Sequence, residues 1–315
     1  VLFRSGGDTG AAIAQNWPVK PVHVVIPVAA GSSSNDILGR ALAKSLSEAL
    51  GQQLVVDNMP GASGAIGSRS VARAVPDGYT LLLGYSGAQT ISPHVVADSG
   101  YDPVKDLAPV AQFCSVPYAM VIHPGVKASN LRELVALAKS QPGKLTYASS
   151  GTGSLPHLSG ELFRLEAGID ILHVPYKGAA LAANDLVAGH VQIYFSGITS
   201  VAPFVKSGKL RALAVTTSAR SALLPDTPTA AEVGLSGLDV SNWLGMLAPA
   251  RTPEPVIGRL YSEIAKITNS ADMKAFLLAQ GAEPALLPPA KFGEVIRTEL
   301  AKWGKVIRNA NIKPE

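Results

Sequence analysis

The chain has 315 residues, 27 Lys and Arg against 23 Asp and Glu, and a formal net charge of +4; 47% of it is hydrophobic and 16% charged. That balance excludes a disordered chain, and the length suffices for two cores of ordinary size. The basic residues are scattered with no Lys/Arg run, which argues against a nucleic-acid partner, and no stretch approaches the roughly 20 apolar residues of a membrane span.

Near the start, Ala12-Ile13-Ala14-Gln15 looks like the small-x-small end of a secretory signal. Residues 1–16 are therefore expected to be a signal-peptide remnant or an artefact, and the protein to be exported. From Pro21 onward strand-like and helix-like segments alternate, the pattern of α/β domains with parallel sheets. An apolar strand ending at Val28 leads through a loop of Ala, Gly, Ser and Asn into a helix from Ile37 to Leu50. Its Ile37, Leu38, Ala41, Leu42, Leu46 and Leu50 are spaced to make one buried stripe, and Gly51 sits where a C-cap glycine belongs. A strand over Gln53 to Asp57, a helix over Ile66 to Ala74 and a strand over Tyr79 to Gly84 follow, the last delivering a small polar loop from Tyr85 to Thr90.

A change of domain is expected around Val116 to Pro124. Beyond it Ser129 is expected to cap a helix from Leu131 to Lys139, with Glu133 near the capping-box position. Next come a strand, the loop Ser149 to Ser154 and a helix over Leu158 to Ala167. A strand over Ile169 to Pro175, a helix over Leu181 to Ala188, a strand over Val191 to Phe195, a helix over Val201 to Ser207 and a strand over Leu210 to Thr216 complete the unit. The chain returns through an extended Leu238 to Ala248 into helices over Val256 to Ser270, Ala271 to Gln280 and Pro289 to Asn309, expected to pack back on the first domain. The expected division is 17–116 with 242–315 as one domain and 117–241 as the other. Two crossings between two α/β units suit a hinged binding protein.

Two places carry the same chemistry. Ala30, Gly31, Ser32, Ser33 and Ser34 precede one helix, and Ser149, Ser150, Gly151, Thr152, Gly153 and Ser154 precede another. A strand, a small polar loop and a helix N-terminus together offer unpaired amides, hydroxyls and the positive end of a helix dipole, a combination that captures phosphate or carboxylate. Asp36 is expected to hold the first loop as an N-cap or first-turn acid. Ser86 and Thr90 are further candidates. Tyr176, at a strand end before Lys177 and Gly178, is a ligand wall or hydroxyl donor; Lys177 beside it is a ligand cation or a solvated surface charge. His157 either touches the ligand or makes a helix-terminal hydrogen bond, and Trp243 and Tyr85 are either cleft-lining or core.

Enzyme signatures fail on inspection. There is no Gly-x-Ser-x-Gly elbow, no complete dinucleotide fingerprint, and the six histidines lack metal-like spacing, so no catalytic, metal or cofactor site is expected. The single Cys114 lies in an apolar context and reads as a small buried hydrophobe.

The ordered set Pro27 to Arg40, Val55 to Gly64, Pro76 to Leu82, Tyr101 to Leu107, Tyr147 to Phe163, His173 to Gly178 and Leu210 to Val215 resembles the substrate-binding proteins of tripartite tricarboxylate transporters, the Bug or TctC-like family. The resemblance runs from Trp17 to the C-terminus. It implies an α/β fold of the periplasmic binding protein type II kind: two α/β domains joined by a two-strand hinge, with the ligand cleft between them. It also implies a periplasmic, monomeric protein that captures a small mono- or dicarboxylate and delivers it to membrane permease subunits, without catalysis. A sensor presenting the same closed form to a membrane-bound signalling partner is the alternative. The ligand loops it implies are Val28 to Asp36, Tyr85 to Thr90, Ser149 to His157 and Tyr176 to Ala179, with Ser196 and Gly197.

Two departures stand out. The first loop is one residue longer than the family's usual form, which bears on the preferred ligand length. The family's Val-Asp-x-x-Phe-Asp is here Val191-Gln192-Ile193-Tyr194-Phe195-Ser196, and losing the acid at Ser196 disfavours an amino-acid ligand.

Overall fold

The computed structural model describes residues 17–31 and 33–314. The expected leader over 1–16 and the candidate Ser32 lie outside the described residues.

The ten strands found there form one mixed sheet in the order β2-β1-β3-β9-β4-β7-β5-β6, with β10 and β8 also pairing β4. Strand β1 (Val22–Ile26) pairs parallel with β2 (Leu54–Asn58) and with β3 (Thr80–Tyr85). Its Val22, Val24, Val25 and Ile26 are all buried, the near-continuous apolar run of a parallel strand covered on both faces. Strand β9 (Ser241–Pro249) runs antiparallel to β3, and β4 (Leu107–Ile122) antiparallel to β9.

β4 is the long element that joins the two halves. Residues up to Pro117 pair with β9, whereas Tyr118 to Ile122 pair with β7 (Ile193–Gly197) and β8 (Arg211–Val215). Strand β5 (Thr146–Ser149) then pairs parallel with β7 and with β6 (Leu172–Pro175). The β5 pairing begins at Leu172, so that strand is shorter than its apolar approach from Ile169 suggests.

Helices cover both faces of each lobe. Helix α1 (Ser34–Leu50) buries Leu38, Leu42, Leu46 and Leu50 against β1 and β3, while Ile37 of the expected stripe lies on the first turn's outer side and is exposed; Gly51 closes the helix with φ 66°. Gly39 makes this contact possible: a Cβ there would lie 2.1 Å from Leu83 Cδ2 and 2.8 Å from Ile26 Cδ1. Helix α2 (Ala65–Ala72) follows a tight turn over Ala62–Gly64. The stretch after β3, expected as a loop, is helical: Gly87–Ile91 forms one wide turn that runs into the short α3 (Ser92–Val95). Ala88, Gln89, Thr90 and Ile91 are buried there, and a buried backbone must find partners for its own amides.

In the second lobe, α4 (Leu131–Ser140) is capped by Asn130, one residue after the expected Ser129. Asn130 Oδ1 accepts the Glu133 amide at 2.9 Å, while the Ser129 amide and hydroxyl donate to the Glu133 carboxylate. Helices α5 (Leu155–Ala167), α6 (Ala179–Ala188) and α7 (Ile198–Lys206) follow.

Helices α8 (Glu254–Asn269) and α9 (Ala271–Ala279) return to the first lobe. Between them and the last helix lies an unexpected edge strand, β10 (Glu283–Leu287), antiparallel to β4. It contains Pro284 and a register irregularity, as edge strands tolerate, and its residues are only half-buried. The final α10 (Pro289–Asn309) does more than pack back on the first lobe. Its Phe292 and Ile296 sit with Val25, Leu82 and Trp243, but its Trp303, Val306 and Ile307 sit with Met120, Leu155 and Leu158 in the second core. Cys114 is fully buried in the first core, and burial pushes its thiol up, as a packing role requires. No described helix is long and apolar enough to cross a membrane.

Candidate functional site

The strand directions bring the two candidate loops toward one another. β3 and β7 run in opposite senses on either side of the β9–β4 pair, so their carboxyl ends point at each other. Tyr85 at the end of β3 is level with Leu244 and hence with Cys114 of β4, while Gly197 at the end of β7 is level with Tyr118. Four residues along β4 separate these levels, about 13 Å at roughly 3.3 Å per residue. Carboxyl ends of strands in α/β sheets are where ligands bind.

The first loop is built around Asp36, which is not the cap but lies in the first turn of α1. Its Oδ2 accepts the Gly31 amide at 2.8 Å and Arg40 Nε at 2.9 Å, and its Oδ1 accepts Asn58 Nδ2 at 2.8 Å. Asn58 also donates to the Val28 carbonyl at 3.0 Å, so the loop is pinned at both ends. Burial pushes the Asp36 carboxyl up, but the bonds from Asn58, Gly31 and Arg40 outweigh it and hold the group below the usual carboxylate range. Ser33 is the true cap, extended at φ −159°, with no capping bond from its side chain. Among the described residues its buried hydroxyl finds no partner, and the first-turn amides of Ser34 and Asn35 find no acceptor. Ala30 and Gly31 are exposed.

The second loop is tied differently. Ser149 Oγ lies 2.6 Å from His173 Nε2 and accepts the Gly151 amide at 3.1 Å. The Gly153 amide donates to His157 Nδ1 at 3.0 Å, and Ser154 caps α5 by accepting the His157 amide. Gly151 and Gly153 have φ 134° and 74°, conformations that favour glycine. The amides of Ser150 and Thr152 find no acceptor among the described residues, and Thr152 is exposed. His157 is itself buried, its ring stacked on His173, so its observed role is the helix-terminal hydrogen bond.

Both loops touch the segment after β3. Asn242, at the start of β9, donates to Asn35 Oδ1 at 2.8 Å and accepts from Ser86 Oγ at 3.0 Å, linking the first loop to that segment. On the other side, a Cβ on Gly153 would lie 3.3 Å from Val95, and Thr152 and Gly153 share a cavity of about 160 Å³ with Ala62, Ser63, Val95 and Lys313.

The remaining candidates are placed as follows. Ser86 and Thr90 are fully buried and their hydroxyls are engaged internally, Thr90 donating to the Ser86 carbonyl at 2.7 Å. They support the segment rather than present donors to a cleft. Tyr176 donates its hydroxyl to Asp185 Oδ2 at 2.8 Å, and Lys177 is exposed beside it. Ser196 is buried near the end of β7, opposite Ala119. Trp243 belongs to the core: it is buried, edge-on to Phe292, and donates Nε1 to Glu299 at 2.8 Å. Burial pushes the Glu299 carboxyl up to about 7. Tyr85 is half-buried beneath Gly64, and burial pushes its phenol up to about 12.

Asn35 lies within the expected loop Val28 to Asp36; Asn242 and His173 are not among the residues the sequence singles out for the site. Asn242 immediately precedes the apolar run that begins at Trp243, and an asparagine at the head of an otherwise apolar strand is the available signal. Among the described residues no cluster of three His, Cys, Asp or Glu could hold a metal ion.

Comparison with known proteins agrees with this architecture. The family profile described as tripartite tricarboxylate transporter family receptor matches residues 38–312. Protein BugT of Bordetella pertussis is 34% identical over 314 residues, covering 99% of this chain and 96% of BugT. The solved structure of R. palustris Rpa4515 with adipate is 34% identical at a TM-score of 0.79, covering 95% of this chain and all 100% of that one. MatC from Rhodopseudomonas palustris with bound malate is 30% identical at a TM-score of 0.74, covering 92% of this chain and 100% of its own.

Proposed function

The chain belongs to the tripartite tricarboxylate transporter family of receptors, and from that premise we propose that it captures a small mono- or dicarboxylate between its two lobes and presents it to membrane permease subunits. The family is one of solute-binding receptors, so the chain is a binding protein and not an enzyme. In this reading it works as a monomer in the periplasm, and 17–116 with 242–315 closes against 117–241 about β4 and β9.

The observation that carries the reading is the pair of turns with uncommitted donors at facing strand ends. Ser33 Oγ and the Ser34 and Asn35 amides stand on one side, and the Ser150 and Thr152 amides on the other. Each charge-assisted hydrogen bond contributes roughly 1.5–3 kcal/mol, so a few at each carboxylate give micromolar binding without an arginine. The relatives that hold adipate and malate support a carboxylate as the class of ligand. In this reading Asp36, Ser86, Thr90, Ser149 and His157 shape the site while Gly31, Ser33, Ser34 and Ser150 to Ser154 face the ligand. Tyr176, Lys177 and Ser196 form its wall on the second lobe.

Thermal-shift and calorimetric titration with a carboxylate panel that includes adipate and malate tests this. At one hundred times its dissociation constant a ligand adds about 2.7 kcal/mol of stability. Ser150→Trp and Thr152→Trp are expected to abolish that response while the ligand-free protein stays folded. An unchanged response in both variants removes the second loop from the site.

A further inference from the structure

We propose that His157 and His173 act as a positioning pair, two neutral stacked rings that hold the Ser149–Ser154 turn in the shape in which its amides receive an anion; the inference rests on the carboxylate-capture reading above. The two rings come from different elements, α5 and β6, and each secures one end of the turn. His173 meets Ser149 at 2.6 Å where the turn begins, and His157 accepts the Gly153 amide at 3.0 Å where it ends. Their ring centroids are 3.8 Å apart and their planes 12° from parallel. Tyr147 of β5 lies against His173 at 5.0 Å and sends its hydroxyl to Glu161 of α5 at 2.6 Å, which in turn accepts Arg164 Nε at 2.9 Å. Even the backbone makes room, since a Cβ on Gly160 would lie 2.1 Å from the Tyr147 ring.

The chemistry of the contacts requires the neutral form. An N–H pointing into His157 Nδ1 needs a lone pair there, and a proton on that nitrogen sets donor against donor. Two imidazolium rings at this spacing would also repel in a buried setting. The charged group that acts on the pair is Glu161, which favours a proton on His173 and is itself paired with Arg164. Burial holds both imidazoles down at about 4, with the neighbouring ring adding to the effect on His173. The turn therefore has a rigid frame without formal charge, leaving the Ser150 and Thr152 amides and the α5 dipole as the field that meets the ligand.

The test reads the ligand-free protein and the complex separately. His157→Phe keeps a stacking ring and removes the acceptor; His157→Asn places Oδ1 where Nδ1 was. In His157→Phe the Gly153 amide is expected to exchange about tenfold faster without ligand, and adipate to bind about tenfold more weakly. His157→Asn should recover most of both. Wild-type imidazole nitrogen shifts, followed by NMR, should show one fixed neutral tautomer for each ring from pH 5.5 to 8. Unchanged Gly153 exchange in His157→Phe, or a ring titrating near 6.5, overturns the pair even if adipate binds. Should the wild type bind no carboxylate, the capture reading fails while the exchange and NMR results still decide how the turn is held. If His157→Phe does not fold, His173→Gln with the same exchange measurement decides the matter.

Discussion

The two turns proposed to receive an anion are held in place with opposite electrostatics. The first is held by a buried carboxylate, Asp36, satisfied by Gly31, Asn58 and Arg40. The second is held by imidazoles that burial keeps neutral. A negative charge beside an anion site is tolerable only because its lone pairs are already taken and Arg40 offsets it. A neutral frame needs no such compensation. The contrast teaches that a strand-loop-helix anion site is specified by the backbone it presents, and that its supports are free to differ.

The largest expected effect is at Asp36. Asp36→Ala leaves three donors without an acceptor and should lower the unfolding free energy by about 2–3 kcal/mol in urea denaturation. A loss below about 1 kcal/mol would mean that the first turn is held by something else. Gly160→Ala strikes the second turn through its aromatic support and should cost about 1–3 kcal/mol, because Tyr147 is fully buried and cannot swing away. An unperturbed Gly160→Ala would show that the ring pile yields, and the neutral frame would lose its rigidity.

Acid separates the two supports. The imidazoles have folded values near 4 against 6.5 when unfolded, so the unfolded chain binds more protons between those limits and stability rises with pH across that window. Asp36 is depressed below 3.8, so its contribution is complete above that value and is lost only as pH falls further. Glu299 opposes the imidazoles: raised to about 7, it stabilises at low pH and loses that contribution as pH climbs from 4.5 to 7. Urea midpoints at pH 4.5, 5.5 and 6.5 should therefore show a flatter slope when His157→Asn and His173→Gln are combined. Glu299→Gln should steepen it. The smallest effect is expected at Arg40, whose side chain is 46% exposed: Arg40→Gln should cost under about 1 kcal/mol and grow weaker at high salt. Equal salt sensitivity of His157→Phe would break the contrast between charged and neutral supports.

Much of this was legible in the sequence. The alternation of apolar strands with striped helices gave the α/β architecture, and glycine at 51 marked the end of α1 as it stands in the structure. Elements whose signal lies in long-range pairing were hidden. β10 is a half-buried edge strand containing proline, so periodicity had nothing to detect. The stretch after β3 looks like a polar loop because Ser86, Gln89 and Thr90 are polar, yet all are buried and bonded inside. At the site, the small-residue turns announced themselves locally. Asp36 and His157, local supports, were legible too; Asn58, Asn242 and His173 were not, because they reach the turns only through the fold, from 22, 207 and 24 residues away. Family resemblance placed the loops in order but said nothing of what holds them.

The closing helix has a consequence for motion. At 21 residues it is a rod of roughly 31 Å, seated by Phe292 and Ile296 in one core and by Trp303, Val306 and Ile307 in the other. A lever anchored at both ends resists a wide gape, since splaying would drag three large side chains out of close packing. Torsion about the rod's own axis disturbs both seats least. If the two lobes open as proposed, this anchoring favours a swivel over a gape, and the helix would meter how far they turn.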